Sequence, residues 1–148
     1  MILGTAAEDG QPWVTPVYYS AGGYTDFYWV SNPEAIHSRN IAARPQVSIV
    51  IFNSQTPIGT AQAVYMSGVA EELTEADVAQ SIDIFSRRAQ ARGAGEWTPE
   101  RVQPPANLRL YRATTSKQFI LCPRKYPEPC PIHGRTDDHR IAVQLRRE

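Results

Sequence analysis

Short runs of apolar and other strand-forming residues dominate the first half of the chain, and polar turn residues separate the runs. Residues 2–6 and 13–19 flank Asp9 and Gly10, the pair typical of a tight hairpin turn. By the same criteria, further strands are predicted at residues 24–30, 47–52, 61–73, 108–113, 117–122 and 141–145. The pattern therefore predicts a mainly β fold.

Two of these strands carry additional information about the sheet. Residues 47–52 are almost wholly apolar, which predicts a core strand buried on both faces. Gly68 interrupts the long 61–73 strand and predicts a bulge or a close backbone approach. Short strands with such an irregularity favour a curved sheet, and we expect a small β-barrel with peripheral helices.

One long helix follows the 61–73 strand. Thr74 and Asp77 have the spacing of a capping box, with aspartate at the acidic position. An apolar stripe with helical spacing comes next, and Gly93 stops it. We therefore predict a helix that packs on the sheet through Val78, Ile82, Phe85 and Ala89.

A shorter helix is predicted between the strands at 24–30 and 47–52. Asn32 followed by Pro33 reads as an N-cap with proline at the first helical position, and Arg44 before Pro45 ends the helix. Helix starts bind anions, and His37 and Arg39 would add hydrogen-bond donors within two turns. The junction is a candidate phosphate or carboxylate site, or else a capped connecting helix with two solvated side chains.

Composition and charge narrow the class of protein. The 148 residues include 15 basic and 15 acidic side chains, which predicts one domain spanning residues 1–148. A neutral balance without a basic stripe argues against a nucleic-acid partner. The apolar runs are strand-length, so we expect no membrane association, and no leader pattern follows Met1, so we expect a cytoplasmic protein.

Four potential metal ligands occur in one proline-rich segment near the end of the chain: Cys122, Cys130, His133 and His139. Their spacing lacks the short C-x2-C knuckle of ordinary zinc sites, and the neighbouring prolines restrict the backbone. Zinc binding and a disulfide are both alternatives. The prediction from spacing is no metal site, with two reduced cysteines in a surface excursion.

Three segments carry a resemblance to a known family: LGTAAEDGQPWVTPVYYS, FYWVSNPEAIHSRNIAARPQVSIVIF and AVYMSGVAEEL. Together they resemble the pyridoxamine 5′-phosphate oxidase-like family of FMN-binding split β-barrels. The resemblance covers about residues 2–73, and the HSRNIxxRPxVS segment is its best motif. It implies a split β-barrel homodimer that holds FMN, or in some branches a deazaflavin, at the subunit interface.

The resemblance also implies residues on the side of the flavin ring. Thr15, Pro16 and Val17 match the strand that lies beneath the isoalloxazine in family members. Gln62 lies near the position where a glutamine meets the ring in some members. We therefore expect these four residues to contact the ring.

On the phosphate side, the resemblance implies five residues. Val30 and Ser31 match a strand end that touches the phosphate side of the flavin. His37 falls where many members have a phosphate-binding lysine, and Arg39 and Asn40 match an RN pair common to many relatives. Because an ordinary histidine is mostly uncharged at pH 7, phosphate binding would be weaker here than with lysine.

Function follows from the family as a set of alternatives. The leading hypothesis is an FMN-dependent oxidoreductase with an unidentified small-molecule substrate. Thr15 and Ser20 stand where pyridoxamine phosphate oxidases have arginine and lysine, so a different substrate is expected. The alternatives are a non-catalytic split barrel that carries flavin, deazaflavin or haem, and a cofactor-free member that has lost basic residues, since Ile36 replaces an arginine of several relatives.

Overall fold

The computed structural model describes residues 1–57, 59–122 and 127–143 of the chain. Within these ranges the elements in chain order are β1 (Ile2–Ala6), β2 (Pro12–Pro16), β3 (Ser20–Gly22), β4 (Asp26–Ser31), α1 (Ile36–Ala43), β5 (Gln46–Phe52), β6 (Ala63–Glu72), α2 (Glu75–Ala91), β7 (Arg109–Leu121) and β8 (Arg140–Ala142). A single 3-10 turn at Pro99–Arg101 follows α2. The predicted mainly β fold is confirmed.

The strands form one antiparallel sheet in the order β2-β1-β5-β6-β7-β4-β3, and β8 pairs with the end of β7. Its two edge strands, β2 and β3, are consecutive in the chain and are joined by residues 17–19 alone. A link of that length spans at most about 14 Å from one strand end to the next. The sheet must therefore curl until its edges approach each other, which gives the predicted split β-barrel.

Side-chain alternation along β4 divides the apolar interior into two clusters. Phe27 and Trp29 point into the barrel, where Trp29 stacks on Tyr111 with 5.7 Å between the ring centroids. Tyr28 points to the opposite face and packs under α2. Strand residues alternate between the faces of a sheet, so a single strand contributes to both clusters.

Helix α2 forms as its sequence predicts. Thr74 is the N-cap, and its Oγ1 accepts a hydrogen bond from the Asp77 N–H at 3.3 Å. All four residues of the predicted stripe are buried against the sheet: Val78, Ile82, Phe85 and Ala89. Gly93 follows the helix with a positive φ of 82°, a conformation that glycine adopts without steric cost.

Predictions around four strands, β2, β3, β5 and β7, need correction. Residues 108–122 contain one continuous strand, β7, rather than two, because Thr114 and Thr115 pair with β6 instead of breaking the ladder. The predicted turn after Ser20 contains the short strand β3, and β2 ends at Pro16 rather than at residue 19. On β5, burial alternates, and Ser48 and Phe52 are exposed, so this strand is not buried on both faces.

Two further predictions concern the chain end and membranes. The last strand starts at Arg140, close to its expected position, whereas residues 144 and 145 of the predicted strand lie outside the described residues. In the described ranges, none of the helices has the length and apolar character needed to cross a bilayer.

The bulge predicted at Gly68 is present. The β6–β7 register shifts between Ser67 and Gly68, and a Cβ atom on Gly68 would lie 2.2 Å from the carbonyl oxygen of Thr114. Because the obstructing atoms belong to the backbone, a side chain at this position has no simple way to relieve the clash. This close approach lets β6 and β7 bend together.

We predict that Gly68→Ala lowers the free energy of unfolding by about 1–3 kcal/mol, the usual cost of overpacking a close contact. Urea denaturation of the two proteins measures the difference. Gly95→Ala is the matched control, since the nearest atom to its new Cβ is Arg101 Nη1 at 4.0 Å. Equal stability of the Gly68 variant and the wild type would contradict the assigned close approach.

Candidate functional site

The β4–α1 junction differs from its prediction in how the helix starts. Asn32 Oδ1 accepts a hydrogen bond from the Glu34 N–H at 2.8 Å, and the Asn32 carbonyl accepts one from Ala35 N–H at 3.0 Å. Asn32 thus closes a local turn, as short polar side chains often do, and Ala35 is the N-cap without a side-chain bond. The predicted N-cap role of Asn32 is wrong, whereas the predicted helix end before Pro45 is confirmed.

His37 lies on the inner side of α1 and is buried. Its Nε2 atom is 2.7 Å from Ser31 Oγ, so the two side chains form a hydrogen bond between the end of β4 and the first turn of α1. Burial lowers the pKa of His37 below its ordinary value. The imidazole is therefore neutral at pH 7 and supplies a hydrogen-bonding group rather than a positive charge.

A second polar contact fixes the same helix to the opposite part of the sheet. The amide of Asn40 donates a hydrogen bond to Thr5 Oγ1 on β1 at 3.0 Å, and Asn40 is buried. Strands β4 and β1 are separated in the sheet by three other strands. Helix α1 therefore bridges distant strands of the curled sheet, with Ile41 packed into the barrel core.

Arg39 points to the other side of α1 and is exposed. It lines a groove of about 470 Å³ that also contains the carboxylates of Glu34, Glu71 and Glu72. Arg109 and Arg112 form salt bridges with Glu72 and Glu71 at 3.4 and 2.6 Å. The groove therefore has mixed charge rather than the concentrated positive charge that favours a phosphate.

Three of the four predicted ring-side residues, Thr15, Pro16 and Val17, lie on and just after the edge strand β2. Trp13 Nε1 donates a hydrogen bond to Thr15 Oγ1 at 2.8 Å, so the Thr15 hydroxyl already has a local partner. Pro16 and Val17 line an open groove of about 560 Å³ at the adjoining ends of β2, β1 and β5. The other lining residues are Met1, Ile2, Tyr18, Tyr19, Val50, Ile51, Phe52 and Ser54. The size and largely apolar lining of the groove are those of a small-molecule site.

The remaining predicted residues do not join this groove. Val30 lines a third cavity, next to Phe85 and Trp97, and Gln62 is exposed one residue before β6. Within one chain, the nine predicted residues therefore fall into separate places. The family motif identifies these residues one by one. Which of them share a surface depends on how the sheet curls.

The structure also assembles a cluster that spacing did not predict. Cys122, Cys130, His133 and His139 each place one potential ligand atom within 4.8 Å of the others. Hydrogen bonding from Cys122, with further donors in the Cys130–His133 turn, lowers the pKa of Cys130 to about 6. The pairing of β7 with β8 brings the two ends of this segment together, and no local spacing rule reports such a pairing.

A family model described as pyridoxamine 5′-phosphate oxidase matches residues 1–121 of the chain. The chain belongs to this family. The match extends through β7, well beyond the segments that carry the best motif. Among curated proteins, no sequence match is found.

Solved structures with the same fold have several different descriptions. One is a candidate 5-nitroimidazole antibiotic resistance protein from Bacteroides thetaiotaomicron, with 15% identity, a TM-score of 0.64, and coverage of 80% of this chain and 74% of that one. HutZ, the haem storage protein of Vibrio cholerae, has 18% identity and a TM-score of 0.59, with 78% and 80% coverage.

An F420 reductase is similar at 16% identity and a TM-score of 0.57, with 79% of this chain and 86% of that chain covered. At such low identities, these likenesses establish the split-barrel fold and leave the ligand open.

We predict that His37 makes the stability of the protein sensitive to mild acid. Since its pKa is lower in the folded than in the unfolded chain, the unfolded chain binds the proton more tightly. Its stabilising contribution is complete above the unfolded pKa of about 6.5 and is lost as the pH falls through the folded value.

His37→Gln provides the comparison, because its amide can reach Ser31 and does not titrate. Urea unfolding between pH 7.5 and 5, spanning His titration, should show a steeper loss of stability in the wild type than in the variant. Parallel curves for the two proteins would contradict a buried, neutral His37.

Proposed function

We propose that this protein binds a flavin-type cofactor, FMN in the first place and a deazaflavin as the alternative, and acts as an oxidoreductase on a small molecule. The observation that carries the proposal is the groove beside β2 in a chain that belongs to the pyridoxamine 5′-phosphate oxidase family. When bound, a flavin supplies the electron-transfer chemistry, and the protein contributes binding, orientation and hydrogen bonds.

The groove fits the ring system of a flavin better than it fits a charged ligand. Tyr18, Tyr19 and Phe52 give it aromatic surface, and Pro16 and Val17 form the strand side. Flat aromatic groups favour such surroundings because ring stacking adds to the burial of apolar area. This groove supports placing the isoalloxazine against the predicted residues of β2.

The phosphate is assigned to the β4–α1 junction. Ser31 and His37 offer a hydroxyl and an imidazole there, both partly or fully buried and already positioned by their mutual hydrogen bond. The site lacks the positive charge that a lysine would provide, since burial keeps His37 neutral. We therefore expect FMN to bind more weakly than in lysine-containing relatives.

Haem is the less favoured ligand because of where the histidines lie. The chain has three of them. His37 is buried against Ser31, and His133 and His139 belong to the Cys/His cluster, so none lines the groove beside β2. Axial histidine ligation of a haem in that groove would need a rearrangement of the chain.

A homodimer is part of the proposal. Trp13 and Val14 are exposed on the edge strand β2 with exposed fractions of 44% and 68%, and Phe52 is half-exposed beside the open groove. An unpaired, apolar sheet edge attracts another chain unless something covers it. A second copy that covers this edge would also supply the missing wall of the groove.

We predict that His37→Lys raises FMN affinity about tenfold or more, the value of a charge-assisted hydrogen bond of about 1.5–3 kcal/mol. The measurement is quenching of FMN fluorescence by apo protein. Ala43→Lys is the matched control, because it adds the same charge to the exposed last residue of α1.

Three results would count against this assignment. An equal gain in the control would show a general charge effect rather than a phosphate at the junction. If neither the wild type nor His37→Lys binds FMN or F420 at concentrations on the order of 10 μM, the flavin proposal fails. Stoichiometric binding of haemin under those conditions would indicate that the ligand is haem rather than a flavin.

We predict that the protein sediments as a dimer of 16.5 kDa chains. Val14→Lys should weaken the dimer, since a charge in the centre of an apolar interface lacks a partner. Gln11→Lys, exposed just before the same strand, is the control. A folded wild-type monomer at micromolar concentration would contradict the dimer, and so would a Val14→Lys dimer as stable as the control.

A further inference from the structure

We propose that Cys122, Cys130, His133 and His139 form a structural zinc site. Each side chain offers one ligand atom, and the four atoms lie within 4.8 Å of one another. Two sulfur and two nitrogen ligands are the donor set of many structural zinc sites. The site is separate from the groove beside β2 and from the β4–α1 junction, and it does not depend on the function proposed above.

The distances between the ligand atoms approach those of a tetrahedron around zinc. The two Sγ atoms are 3.1 Å apart, Cys130 Sγ and His133 Nδ1 3.3 Å, and Cys122 Sγ and His133 Nδ1 3.5 Å. Ideal zinc bond lengths give about 3.8 Å between two sulfurs and about 3.6 Å between sulfur and nitrogen. Small outward movements of the side chains would therefore admit the ion.

The fourth ligand completes the set at a comparable distance. His139 Nε2 is 3.1 Å from His133 Nδ1, against about 3.3 Å for two nitrogen ligands of an ideal tetrahedral zinc ion. All four ligands come from the protein, which leaves no open position for water or substrate. A closed site of this kind stabilises structure rather than performing catalysis.

Backbone pairing explains why ligands 17 positions apart in sequence meet. Cys122 follows the last residue of β7 and His139 precedes the first residue of β8. The N–H of Cys122 donates to the carbonyl of His139 at 2.9 Å, which extends the β7–β8 ladder by one step. These two ligands are therefore held side by side at the end of a strand pair.

The other two ligands come from a tight turn facing that strand pair. Gly134 N–H donates to the Cys130 carbonyl at 2.8 Å, and Gly134 has a positive φ of 67°. Cys130 N–H donates to the Arg135 carbonyl, also at 2.8 Å. The turn places Cys130 and His133, three residues apart, on the same side, which is the role that the C-x2-C knuckle has in other zinc sites.

One hydrogen bond outside the ligand set selects the tautomer of His139. Its Nδ1 lies 3.0 Å from the Asp137 carbonyl oxygen, which can only accept, so the ring proton resides on Nδ1. Nε2 then has an open lone pair, and this is the atom that faces the other ligands. Histidine ligands of metals are commonly oriented in this way by a carbonyl or carboxylate.

The segment has little else to stabilise it. Of the described residues 127–139, Cys130 is buried and His139 is partly buried, and the others are exposed. Ile132 has 72% of its surface exposed, so the turn does not pack through apolar side chains. A metal ion would supply the cross-link that a small apolar core cannot, and it would fix β8 against β7.

The first experiment measures metal in the full, untagged chain. We expect about one zinc per chain by elemental analysis, and substantially less in Cys130→Ser and in His133→Ala. Thr136→Ala is the matched control in the same exposed turn and should retain zinc. Undiminished zinc in both ligand variants would overturn the assignment, as would iron in place of zinc.

A second measurement does not require the variants to fold. Cobalt titrated into reduced, chelator-treated wild type should give the strong visible bands of tetrahedral cobalt and a thiolate charge-transfer band. Removal of the metal should raise the rate of amide hydrogen exchange in residues 127–143, whereas the amides of β1 and β5 should stay protected. The absence of both zinc in the purified protein and cobalt binding by its reduced form would overturn the proposal.

Discussion

The link between β2 and β3 is the constraint on which the shape of the barrel depends. Residues 17–19 join strands that stand at opposite ends of the sheet order, so the strands between them must curl. The close approach of Gly68 to Thr114 permits this bending on β6 and β7. Trp29 and Tyr111, which lie opposite each other on the paired strands β4 and β7, stack in the interior that the curled sheet encloses.

Helix α1 is attached to the sheet by two polar contacts at some distance from each other. Ser31 with His37 and Asn40 with Thr5 attach the helix to β4 and β1, strands that share no direct pairing. The buried His37 holds Ser31 by a short hydrogen bond, and its lowered pKa keeps it from supplying positive charge at pH 7. The affinity for the proposed flavin would then depend more on the groove beside β2 and less on the β4–α1 junction.

Local rules predicted the elements whose residues interact within one segment. The apolar stripe of α2 reports burial directly, because one face of that helix contacts the sheet. Asn32 satisfies the residue preference for a cap, but the same side chain can close an earlier turn, and composition does not distinguish the two. Whether Asn32 caps the helix or closes the earlier turn depends on the backbone geometry at the end of β4.

The candidate sites depend on contacts between distant segments, and the sequence alone reveals these poorly. The motif identified His37 and Arg39 as neighbours, yet they face opposite sides of α1, one towards Ser31 and one towards three carboxylates. Cys122 and His139 become adjacent only when β8 pairs with β7. Spacing rules for metal sites describe ligands within a turn and do not describe ligands joined by strand pairing.

The absorption spectrum of the protein, purified from cells without added cofactor, tests the central claim most directly. A flavin-type ligand predicts absorption bands in the near ultraviolet or blue, and denaturation should release a fluorescent small molecule. A haem Soret band would contradict the account. The account would also be contradicted if the purified protein shows no visible absorption and still shows none after incubation with FMN or F420 and removal of excess ligand.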